Sequence, residues 1–244
     1  WEQSCIETCF LILPKMFQMS VEVERKFICT EEILKVLEKT GVCVGQRDFH
    51  DQYFDTANFD LTLQDFWLRN RKGSWELKCP VTMNKADQAN GGQSKAEALC
   101  SRYREIIDLT DIQQKVREKT DEVVDSQSRT ITTDDGPKTQ EDETWLSGMN
   151  LKCFAEFTTV RRSFTLEEDG VQVDLDQADF GYNVGEIEVL VTEGEDVQSA
   201  LEKIGKAAQK LGLTGNQKIP GKMDIYLQRH LPKHYEALMM AHIL

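Results

Sequence analysis

Apolar and ionisable residues alternate with a period of two at several separate places along this chain. In Val21-Glu22-Val23-Glu24-Arg25-Lys26-Phe27, strand geometry puts Glu22, Glu24 and Lys26 on one face and Val21, Val23 and Phe27 on the other. Trp67, Arg69 and Arg71 share a face in the run 67–71, and Glu76 and Lys78 do so in 75–78. Around 158–164 the apolar row takes Val160 and Phe164, which leaves Thr159, Arg161 and Ser163 together. Arg161, not Arg162, is then the inward candidate. Asp174 and Asp176 turn away from Val171 and Val173, and Glu186 and Glu188 turn away from Ile187 and Val189. In 222–227, Lys222 and Asp224 oppose Met223, Ile225 and Leu227, which reads as one more strand.

Between these strands the period changes to that of helices. Thr30 is a side-chain cap for a helix over Glu31 to Lys39, with acids in its first turn and Gly41 as its stop. Leu201, Ile204, Ala208 and Leu211 form an apolar stripe on a helix from Val197 to Leu211. A third helix is expected from about Lys95 to Ile107. The stretch 125–143, rich in Ser, Thr, Asp, Gly and Pro, reads as a flexible insertion. Residues 1–18 carry an apolar run at 9–13 too short to span a bilayer, and they are expected to lie outside a single domain over 19–244.

An ordinary antiparallel sheet would leave such polar rows solvated. These rows, however, are rich in arginine and paired acids rather than in mixed surface residues. The expected fold is therefore α+β, a closed antiparallel β-barrel with a charged lumen, its apolar rows facing outward under covering helices. Buried charges are tolerated when they are paired or coordinated, so the lumen must hold ions of both signs close together.

The chemistry follows from the residue types. Carboxylates two apart suit a hard divalent cation, and neighbouring lysines and arginines suit phosphate oxygens. The net charge of −13 argues against a nucleic-acid partner, because neutralising a long phosphate backbone needs a basic surface. A small phosphate compound reaching a local basic lumen remains compatible with it. The 7 cysteines are scattered, without a Cys-x-x-Cys pair, as expected of a reducing, cytoplasmic setting. His50, His230, His234 and His242 do not cluster, and no histidine-based catalysis is indicated.

The opening Glu22-x-Glu24-x-Lys26 motif resembles the signature of the triphosphate tunnel metalloenzymes, the group named for adenylate cyclase and thiamine triphosphatase. The runs 67–71, 75–80, 173–182, 184–188 and 225–229 resemble the animal thiamine triphosphatases more specifically, and the similarity extends from about Ser20 to about Leu238. The resemblance implies a Mg²⁺-dependent hydrolase that converts thiamine triphosphate to thiamine diphosphate and phosphate, acting as a monomer without membrane or nucleic acid. On that reading Glu22, Glu24, Asp174, Glu186 and Glu188 attend the metal. Lys26, Arg69, Arg71, Lys78, Arg161 and Lys222 hold the phosphates, and Trp67 offers its indole to the thiamine. Glu22, Glu24, Lys78 and Glu188 are the catalytic candidates. An inorganic triphosphatase, an adenylate cyclase-like lyase and a non-catalytic triphosphate-binding module are the alternatives.

Overall fold

A computed structural model describes residues 20–81, 97–120, 141–166, 170–192 and 197–244. The expected extension at 1–18 lies outside the described residues, as does the expected insertion up to residue 140. The strands are β1 (Ser20–Phe27), β2 (Val42–Asp55), β3 (Trp67–Arg71), β4 (Ser74–Pro80), β5 (Cys100–Ile106), β6 (Lys152–Leu166), β7 (Val171–Ala178) and β8 (Tyr182–Thr192). They form a closed barrel in the order β1-β5-β4-β3-β2-β6-β7-β8, and every neighbouring pair is antiparallel.

Helices α1 (Glu31–Thr40) and α4 (Val197–Lys210) cover the outward face of β1, β7 and β8. Val23, Phe27, Val173, Ile187 and Val189 pack there against Leu37, Leu201, Ile204 and Ala208. Full burial of a large aliphatic or aromatic side chain contributes about 1.5–3 kcal/mol, so this layer holds the charged strands in place from outside. Gly185 pairs with Phe27, and its Cα hydrogen faces the phenyl ring so closely that a Cβ has no room. Thr30 caps α1 as the sequence suggests, its hydroxyl accepting from the Ile33 N–H at 3.3 Å. A second layer, from α2 (Leu109–Lys119) and α3 (Glu141–Gly148), covers β3 and β4 through Ile112, Val116 and Met149 against Leu68, Trp75 and Leu77.

Two expectations are corrected. Residues 222–227 are not a strand but the start of α5 (Lys222–His230), followed by α6 (Pro232–Met240). Over six residues the alternation also satisfies a helix, because Met223 and Leu227 are four apart and share one buried face. The Asp224 carboxylate accepts the Gly221 N–H at 2.7 Å, closing the first turn instead of pairing with Lys222. Together α5 and α6 pack on the inward-facing Tyr53, Ala155 and Phe157 and so close part of the barrel interior. The expected helix near 95–107 is instead a short 3₁₀ turn, Glu97–Leu99, and strand β5. Arginines 102 and 104 alternate with Ser101, Tyr103 and Glu105, so β5 has no apolar row by which a period of two is recognised.

Candidate active site

Strand parity brings the separate polar rows of the sequence into one lumen. A single cavity is lined by Glu22, Glu24, Lys26, Trp67, Arg69, Arg71, Lys78, Arg161, Glu186 and Lys222, among others. Arg162 lies outside, paired with Glu38 at 2.9 Å, and is half-exposed.

The cations in this lumen are held by carboxylates. Arg161 is the most tightly held. Its Nε and Nη2 donate to the two oxygens of Asp176 at 2.6 Å each, its Nη1 to Asp174 at 2.6 Å, and its Nη2 also to Glu186 at 2.8 Å. Arg71 makes a two-pronged contact with buried Asp51 at 2.6 and 2.7 Å. Arg69 pairs with Glu76 and, at 3.1 Å, with Glu105. Lys26 pairs with Glu24, Lys78 with Glu22, and Lys222 with Asp176 and Glu186. The Phe49 ring lies under the guanidinium groups of Arg71 and Arg161, at 3.9 and 5.4 Å from its centroid, and steadies both.

These pairings set the charge states. Burial alone raises the Glu24 carboxyl, but Lys26 and Lys78 outweigh it and hold the group below its ordinary value. Burial disfavours the Lys26 charge, yet Glu24 and Glu186 keep this lysine firmly protonated. The same competition, won by Lys222 and Arg161, keeps Glu186 ionised. Glu188 is different. Burial first, then the neighbouring carboxylates of Glu22, Asp174 and Glu24, push it up to about 8 against the opposing pull of Lys78. Among the described residues it has no cationic partner within ion-pair distance.

The donor set suits a hard divalent cation. Buried Asp174 Oδ1 has no hydrogen-bond partner among the described residues, and the mutual repulsion around Glu188 is what an added positive charge relieves. Among the described residues no three acidic, histidine or cysteine side chains already converge as a finished metal site. Apart from Glu188, the carboxylates of this donor set are engaged with lysines and arginines instead.

Several lumen residues escaped the sequence reading. Phe49, Asp51 and Tyr53 come from β2, whose alternation Phe49-x-Asp51-x-Tyr53-x-Asp55 was available as a signal. Ser101, Tyr103 and Glu105 come from β5, and the Ser101 hydroxyl donates to Glu24 at 3.0 Å. Asp65 and Lys218 lie in connections and carry no periodic signal. The histidines stand apart. His234 is buried against Phe59, bonded to the Thr62 hydroxyl at 2.7 Å, and pushed down to about 4 by burial. Burial pushes the Cys79 and Cys100 thiols up to about 11, which leaves them poor nucleophiles.

The sequence pattern of the CYTH domain family matches residues 20–221. The chain is 34% identical over 235 residues to the thiamine-triphosphatase of Homo sapiens, spanning 92% of this chain and 91% of the human protein. The thiamine-triphosphatase of Macaca fascicularis matches to the same extent. Among solved structures, a protein from Pyrococcus horikoshii superposes with a TM-score of 0.52 over 86% of this chain and 99% of its own, at 19% identity, a likeness that bears on the fold alone. The charged tunnel and these matches over most of its length agree: the chain belongs to the CYTH domain family.

Proposed function

We propose that this protein is a hydrolase that cleaves thiamine triphosphate to thiamine diphosphate and orthophosphate with the help of Mg²⁺. The observation that carries the reading is a lumen of interleaved cations and carboxylates in a chain 34% identical to human thiamine-triphosphatase along 92% of its length. Lys26, Lys78 and Lys222 are the phosphate ligands best able to move, since each reaches its carboxylates, one for Lys26 and Lys78 and two for Lys222, through a single flexible ammonium group. A triphosphate entering the lumen takes over these lysines. Glu22 and Glu24 are thereby released, Glu186 keeps its bond to Arg161, and these three with Asp174 and Glu188 are the residues that would hold the cation. Bound Mg²⁺ supplies neutralisation of phosphate charge and polarisation of a water for in-line attack. Arg69 and Arg71 face the remaining phosphate oxygens, while Arg161 fixes Asp174, Asp176 and Glu186 in register. Phosphate release from thiamine triphosphate, inorganic triphosphate and ATP, with and without Mg²⁺, tests the reading. Absence of a Mg²⁺-dependent preference for thiamine triphosphate would overturn it.

The elevated Glu188 predicts how pH enters. A metal ligand must be deprotonated, so below pH about 8 the cation has to displace a proton from Glu188. Apparent Mg²⁺ affinity is expected to fall about tenfold per pH unit below that point and to level off above it. Mg²⁺ titrations of the rate at pH 6, 7, 8 and 9 measure this. Identical apparent constants at all four would show that Glu188 does not bind the metal.

Trp67 lines the cavity beside Lys78, its register partner on β4. If the indole stacks on a thiamine ring, Trp67→Ala should lower kcat/KM for thiamine triphosphate by about tenfold relative to inorganic triphosphate, which has no ring. Trp67→Phe should recover part of the preference. An equal loss on both substrates, at an unchanged thermal midpoint, would make Trp67 a packing residue.

A further inference from the structure

Asp65 is a carboxylate at the cavity that none of the phosphate or metal chemistry uses. It follows a 3₁₀ turn, Thr62–Gln64, with φ of 64°, a left-handed conformation that few residues other than glycine, asparagine and aspartate adopt readily. The backbone is held there by the Asp65 N–H, which donates to the Thr62 carbonyl at 3.0 Å, and two side chains anchor the carboxylate. The Trp67 indole N–H donates to Asp65 Oδ1 at 2.8 Å, and the Tyr103 hydroxyl donates to the same oxygen at 2.9 Å. Oδ2 accepts no hydrogen bond among the described residues, and Asp65 is only partly buried where it lines the cavity. Lys218 and Asp224 are its neighbouring charges, but neither forms an ion pair with it among the described residues. A negative group with one oxygen anchored and the other open, beside an indole, repels phosphate. It matches instead a positively charged heteroaromatic ring whose face rests on that indole.

We infer that Asp65 is a specificity residue for the organic end of the substrate: its open carboxylate oxygen provides the counter-charge for a cationic ring stacked on Trp67, while the triphosphate runs into the lumen toward Lys78, Lys26 and Lys222. This rests on the thiamine triphosphate reading, since thiamine carries a quaternary thiazolium ring. It adds a division of labour. The indole selects flatness and Asp65 selects positive charge. The same carboxylate disfavours a bare polyanion, so one residue acts in opposite directions on the two competing substrates.

Asp65→Asn is the informative variant. Asparagine tolerates the left-handed backbone and keeps a carbonyl oxygen for Trp67 and Tyr103, so that only the charge is lost. With wild type and variant both held at saturating Mg²⁺, kcat/KM is measured for thiamine triphosphate and inorganic triphosphate. The ratio is expected to fall about tenfold, through a lower value for thiamine triphosphate and a higher one for inorganic triphosphate. Quenching of tryptophan fluorescence by free thiamine without metal gives a second readout, and the variant should bind it more weakly. An unchanged ratio in a variant with the wild-type thermal midpoint would overturn the role of Asp65. A wild-type enzyme that prefers inorganic triphosphate would overturn the thiamine reading itself, and the inference with it, and that result is visible before any variant is made.

Discussion

Glu24→Gln and Glu188→Gln are each expected to lower Mg²⁺-dependent turnover by more than about a hundredfold with the barrel still folded. Loss of a group that merely supports a metal ligand costs about ten- to a hundredfold, and loss of a ligand costs at least as much. The two variants should differ in stability. Glutamine at 24 keeps an oxygen for Ser101, and Lys26 retains Glu186 as a neighbouring charge, so the fold loses little. Glutamine at 188 removes the repulsion of Glu188 with Glu22, Asp174 and Glu24. A carboxyl raised in the folded state costs nothing below its unfolded value near 4.5, costs more as pH rises toward about 8, and is constant above. Glu188→Gln should therefore be more stable than wild type by about 1–3 kcal/mol at pH 7, with the advantage gone by pH 4. Denaturant titrations at the two pH values, beside phosphate-release rates at saturating Mg²⁺, measure both effects. Near wild-type turnover in either variant would remove that carboxylate from the metal site.

Arg161→Met should destabilise the protein by about 3–5 kcal/mol, because it leaves Asp174, Asp176 and Glu186 without their shared guanidinium in a buried setting. Methionine keeps much of the volume, so the loss reports charge rather than a cavity. Lowering the pH protonates the stranded acids and should narrow the gap between variant and wild type. The neighbouring Arg162→Met removes an exposed pair with Glu38 and should cost within about 0.5 kcal/mol. Equal urea midpoints for the two variants would mean that the Arg161 cluster contributes nothing beyond a surface ion pair.

Much of the site was legible because alternation is a local property. Glu22, Glu24 and Lys26 must share a face if Val23 and Phe27 share the other, whatever the strand pairs with. The same rule placed Arg161 inside and Arg162 outside. It failed where the local pattern was degenerate. Lys222 to Leu227 fits both periods over six residues, and only packing on Tyr53 and Phe157 selects the helix. Strand β5 presents charged residues on both faces, so burial could not be foreseen from hydrophobicity.

The sequence by itself determined which strands carry ionisable rows, which side chains of each row point the same way, and that the rows are too rich in paired charge for a solvated sheet. Only the tertiary structure decided how the rows meet. Closure of the barrel brings Arg161 to three acids from β7 and β8, Arg71 to Asp51 on β2, and Lys78 to Glu22. It also brings Asp65 from a turn to Tyr103 on an unforeseen strand. A period of two fixes direction within one strand, but strength of pairing depends on distances across strands far apart in the chain, and those exist only once the sheet has closed.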